Sequence, residues 1–213
     1  MLSSDCQVPP FKLDLLVDVL KLSTVYLIDN FKDWSIYYLD QLPTAIFTHA
    51  LRFNLSLEHR VLPWLEPSFR ALAFIPLSQM TDADVQALGL ANYHRIMLIR
   101  ELIEQSRRLI CSSVPPATCR QSCVTKDTCR SAWRLAWYSQ ITVRILHPDS
   151  GLVLNSQAEM VEFLEKLEIK GMHPGCRETT VRNTCGHPAF GIMDGNIATA
   201  LSNLRLDYSV HAW

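Results

Sequence analysis

Of the 213 residues, 48% are hydrophobic and 19% charged, which supplies a buried core and excludes a disordered or low-complexity chain. With Lys+Arg 20 against Asp+Glu 21 the net charge is −1, so no global field draws the chain to nucleic acid or to an anionic membrane. No run approaches the length of a spanning helix, and MLSSDCQVPPF has no basic segment leading into an apolar one; an intracellular protein of cytoplasm or nucleus, not secreted, is expected, with its Cys 7 mostly reduced.

Glycine is scarce before residue 150, and helix is expected there. No repeat of fixed period stands out. Leu13, Leu16 and Leu20 recur at helical spacing on a first helix, and Phe31, Trp34, Tyr38 and Leu39 supply the matching stripe on a second, with Asp29 or Asn30 as its N-cap. The two should pack antiparallel, and Trp34→Ala is expected to cost about 3–5 kcal/mol as a core truncation. Leu42-Pro43 places a third helix with Ala45, Ile46, His49, Ala50 and Phe53 on its inner side, and Pro63 opens a fourth that Pro76 ends.

Thr81-x-x-Asp84 reads as a reciprocal cap for a short segment to Leu88. Beyond Gly89 the longest helix runs from about Asn92 to Ile110, with Ile96, Ile99, Ile103 and Ile110 on one side and Glu104 paired with Arg108 outside. SSVPPATC breaks the pattern. A helix resumes near Lys126 with Cys129, Trp133, Ala136, Trp137 and Ile141 on one face. His147 to Gly151 is a turn, and Ser156 with Glu159 forms a capping box for a helix burying Met160, Leu164 and Leu167. Gly171 to Gly195 reads as irregular, followed by a helix from about Asn196 to Leu206.

The fold expected is therefore mainly α, an array of antiparallel helical hairpins with an irregular C-terminal portion. Three regions are drawn: residues 1–42 as a terminal hairpin, 43–147 as a helical tail, and 148–213 as a less regular region.

LLVDVLKLSTVYLIDNFKDWSIYYLDQL resembles the helical hairpin that closes a BTB/POZ domain, with Leu20, Leu22, Ser23, Tyr26, Ile28, Phe31 and Leu39 in the characteristic positions. Ser23 is small enough for close helix approach, and Tyr26 is expected to pack into the corner. HRIMLIRELIEQSRRLIC, TCRQSCVTKDTC and SAWRLAWYS follow in the order seen in the tails of fungal BTB/POZ domain-containing proteins. The resemblance covers roughly residues 11 to 138. The strand-rich BTB core that would stand before Phe11 is missing, so the resemblance implies a carboxy-terminal remnant of such a protein or an incompletely predicted gene product.

Two sets of soft ligands stand out. Cys111, Cys119, Cys123 and Cys129 are separated by seven, three and five residues, without the paired two-residue knuckle that turns adjacent thiolates inward together. His173, Cys176, Cys185 and His187 flank a second loop. The first set lacks the zinc knuckle and short His/Cys clusters like the second occur without metal, so no metal or cofactor is expected, with zinc at either set as the alternative. No phosphate loop, nucleophile elbow or H-E-x-x-H helix is present, so no enzyme is expected, and a thiol reaction using Cys176 with His187 is the least favoured reading. The expectation is a non-catalytic scaffold that binds a protein partner through its helix faces, with Trp133 and Trp137 as the contact surface.

Overall fold

The computed structural model describes residues 12–146, 157–186 and 191–210, and among these the chain is mainly α-helical with no strand. It divides into two compact units between His94 and Arg95, inside a long helix.

The first unit begins with α1 (Leu13–Val25) and α2 (Asp29–Asp40), then α3 (His49–His59) and α4 (Leu62–Phe74). Leu16, Val17, Leu20 and Leu39 of the first hairpin share one core with Phe47, Leu55, Val61 and Trp64. The leading hairpin is thus one wall of a larger core.

The two hairpins close in the same way. The Ser23 carbonyl accepts from Ile28 N–H at 2.9 Å and the Ser56 carbonyl from Val61 N–H at 3.1 Å, the six-to-one bond that satisfies a carbonyl left over at a helix end. The residue before each donor, Leu27 and Arg60, is left-handed at φ 56° and 55°. Glycine usually fills that position, because a side chain there costs about 1–2 kcal/mol. Both serines are buried, and their hydroxyls donate to the carbonyls of Leu20 and Phe53 at 2.9 and 2.7 Å. Buried Ser35 and Ser68, and buried Leu39 and Leu72, recur at the same offset on the second helix of each hairpin. A structural repeat is present that the sequence reading missed, because it is carried mostly by serines and left-handed turns.

Several expectations are corrected. Tyr26 does not pack into the corner and Phe31 is not in the stripe: they are 69% and 58% exposed. Neither Asp29 nor Asn30 caps α2, which starts at Asp29 after Ile28 with no side-chain cap. Pro43 opens a turn instead of a helix, its carbonyl accepting from the amides of Ile46 and Phe47 at 2.8 and 3.0 Å. The third helix starts six residues later, where Thr48 Oγ1 accepts from Leu51 N–H, and Ala45 and Ile46 stay exposed. Trp34 is only partly buried, whereas Trp64 is 3% exposed.

The long helix α5 (Asp82–Ser112) carries a kink at Gly89, whose φ of 69° and ψ of 162° are open to glycine and strained for other residues. Its start bears out the reciprocal cap: Thr81 Oγ1 accepts from Asp84 N–H, and Asp84 Oδ2 accepts from Thr81 N–H. Ile96, Ile99, Ile103 and Ile110 are buried, and Glu104 pairs with Arg107 at 2.7 Å where Arg108 was expected.

The second unit continues from residue 95 through α6 (Lys126–Ala136), a π-helical turn (Trp137–Ile141), α7 (Thr142–Leu146), α8 (Gln157–Lys166), α9 (Pro174–Cys185) and α10 (Ile192–Val210). Cys129, Trp133, Ala136, Trp137 and Ile141 form the inner face as expected, and Met160, Leu164 and Leu167 meet them in one core. The region read as irregular holds α9, which opens on Pro174 with His173 as its cap. The last helix is longer than expected at both ends. The turn at His147 and the capping serine Ser156 lie outside the described residues. No helix of the described residues is long and apolar enough to cross a membrane.

Candidate functional site

Segment 113–125 has no regular structure, yet its polar groups must be satisfied if it is to lie against a core. Trp133 Nε1 donates to the Pro115 carbonyl at 2.8 Å, tying the segment to α6. Thr118 N–H donates to Thr180 Oγ1 at 2.9 Å, Thr180 Oγ1 donates to the Thr118 carbonyl at 3.2 Å, and Asn183 Nδ2 donates to Thr118 Oγ1 at 3.0 Å, tying it to α9.

These ties bring four thiols together. Cys119 and Cys123 come from the segment, Cys129 from the start of α6 and Cys176 from the first turn of α9. The sulfurs of Cys119, Cys129 and Cys176 all lie within 4.8 Å of one another, and Cys123 Sγ is 3.7 Å from Cys129 Sγ. Cys123, Cys129 and Cys176 are buried and Cys119 is half-buried.

Burial works against ionisation of Cys123, but hydrogen bonds from Cys176, the Thr125 backbone and Cys129 outweigh it and hold its thiol below the ordinary value. Burial pushes the Cys176 thiol up to about 11, with the neighbouring Cys123 adding to the rise. Such a cluster can bind a soft cation or be oxidised.

The sequence sets divide differently from the structure. Cys111 lies apart at the end of α5, with burial pushing its thiol up to about 11. Cys185 sits at the far end of α9, its thiol raised by burial and by Glu165. His187 lies outside the described residues. The His173 imidazole accepts from Gly175 N–H at 3.2 Å, while its backbone N–H donates to Cys129 Sγ at 3.4 Å. Trp133 and Trp137 are both buried, with ring centroids 5.7 Å apart, so they form core and not a contact surface.

The first unit carries a surface that sequence reasoning passed over. Leu22, Val25, Tyr26, Leu27, Ile28 and Phe31 are all exposed around the α1–α2 turn, Leu27 to 84%. The signal was present: this tight turn reads Tyr-Leu-Ile where glycine, asparagine or other polar residues are usual. Single exposed apolar residues are ordinary, but a run of them around one turn is not.

The class defined by these observations is a mainly α-helical protein of two units. Comparisons with protein-family models, with curated proteins and with solved structures find no match to the chain.

Proposed function

We infer that the chain is a non-catalytic protein-interaction module of the BTB/POZ domain-containing kind, which docks a partner protein on the turn between α1 and α2. The observation that carries this reading is the exposed apolar knuckle of Leu22, Val25, Tyr26, Leu27, Ile28 and Phe31. The hairpin itself is held from behind by Leu16, Leu20 and Leu39, so the knuckle is presented on a packed base and loses little freedom on binding. The resemblance of this hairpin to the end of a BTB/POZ domain supports the same reading. The partner is a protein with an apolar face; the balanced charge of the chain favours neither nucleic acid nor membrane. Free thiols suit an intracellular setting.

The test is a double substitution, Leu27→Asp with Phe31→Asp. Aspartate tolerates the left-handed backbone at position 27 and Phe31 faces solvent, so folding should be preserved. Burying each side chain is worth about 1.5–3 kcal/mol, so binding should weaken by more than about a hundredfold. A photoreactive residue placed at Val25 of the full chain reports on this in cells. A discrete adduct with one protein in the parent, lost in the double variant at unchanged helicity and unfolding midpoint, is the expected result. An adduct of equal yield in the double variant, or none in the parent, would overturn the reading.

A further inference from the structure

The thiol cluster of the second unit has no part in that reading. We propose that Cys119, Cys123, Cys129 and Cys176 bind one Zn²⁺ ion as a tetrahedral tetrathiolate, fastening segment 113–125 to the starts of α6 and α9.

The separations have the right scale. Zinc–sulfur bonds of about 2.3 Å in a tetrahedron place sulfurs about 3.8 Å apart. Cys123 and Cys129 already stand at 3.7 Å, and the triangle of Cys119, Cys129 and Cys176 is closed to within 4.8 Å. Cys119 has the farthest to move. It is the ligand best able to do so, being half-buried on an irregular segment, with its S–H donating to the Lys126 carbonyl at 3.7 Å.

The surroundings suit negative sulfur. The His173 backbone N–H donates to Cys129 Sγ at 3.4 Å. Amide donors of this kind spread the charge of a metal-bound thiolate and orient it. Cys129 and Cys176 also lie near the amino-terminal ends of α6 and α9, where helix dipoles favour an anion.

An all-sulfur, four-ligand site selects zinc over hard cations such as magnesium or calcium. A polynuclear iron–sulfur cluster fits poorly, because thiolates on different irons are spread by bridging sulfides beyond the separations found here. Binding is a ligand exchange without oxidation: Zn²⁺ and four thiols give the dianionic tetrathiolate, and four protons pass to solvent.

The full chain, purified under reducing conditions without chelator, should contain one zinc per chain. After stripping, Co²⁺ alone should restore the visible absorption bands and thiolate charge-transfer band of a tetrahedral cobalt thiolate. Cys129→Ser and Cys176→Ser should abolish these signals. Cys119→Ser, altering the half-buried ligand on the segment, should bind at least tenfold more weakly and shift the cobalt bands while the chain stays helical. Cys111→Ser and Cys185→Ser should leave stoichiometry and bands unchanged. Absence of zinc with no cobalt bands, iron in place of zinc, a Cys123–Cys129 disulfide in the freshly purified chain, or equal loss in Cys111→Ser or Cys185→Ser would overturn the proposal.

Discussion

Truncating Trp133 to alanine lowers the stability of the second unit by about 3–5 kcal/mol, the expected cost of removing a large buried ring from a packed core. The indole is 1% exposed and contacts Trp137 at a centroid distance of 5.7 Å, among Cys129, Ile141 and Leu164. Its N–H holds the Pro115 carbonyl at 2.8 Å, so the truncation also leaves a carbonyl of the irregular segment without its donor. Trp133→Phe keeps most of the packing and should cost only about 1–2 kcal/mol, mainly the lost hydrogen bond. Leu135→Ala, 70% exposed on the same helix, should stay within about 0.5 kcal/mol of the parent. Denaturant unfolding of the three variants checks the order. A Trp133→Ala cost no larger than that of Leu135→Ala would contradict the packing of α6.

In the first unit the equivalent position is Trp64, where alanine should again cost about 3–5 kcal/mol. Its ring meets Phe47 edge-on at 5.1 Å, and its N–H donates to Asp40 Oδ1 at 2.8 Å. Arg52 completes the group, with Nη2 at 3.7 Å from Asp40 and the guanidinium 4.6 Å from the Phe47 ring centre. Removing the indole opens the core and disturbs a cation held partly by the aromatic faces. Trp34→Ala, which the sequence pattern marks as the damaging change, should cost clearly less, about 1–2 kcal/mol, because Trp34 is only partly buried. The reverse order in chemical unfolding would show that the hairpin is packed through the wrong face.

Where periodicity is strong, the sequence was readable. The isoleucines of α5, the inner face of α6 and the Thr81–Asp84 cap all lie as their spacing requires. Where burial is carried by residues that look polar, it was not. Helix α9 turns Cys176, Thr180, Val181 and Thr184 inward, and threonines at helical spacing give little apolar periodicity. Its opening Pro174 was visible, but a proline marks a helix start only when an apolar face follows. The turns at Leu27 and Arg60 were hidden for a related reason: the left-handed position lacks the glycine by which such a closure is normally recognised.

The cysteines show a different limit. Grouping them by nearness in the chain put Cys176 with Cys185 and Cys111 with Cys119, yet the fold separates both pairs. What brings Cys176 back to Cys129 is the set of bonds from Pro115 and Thr118 to α6 and α9, between residues far apart in sequence. Spacing rules for metal knuckles describe ligands supplied by local turns, and this cluster depends on tertiary contacts.

That return of Cys176 onto Cys123 and Cys129 is open to direct measurement with dibromobimane, which becomes fluorescent on bridging two thiols a few ångströms apart. In the reduced, metal-stripped chain the expected product is a cross-linked peptide joining Cys176 to Cys129 or Cys123. Bridges that involve Cys111 or Cys185, or none that include Cys176, would contradict it.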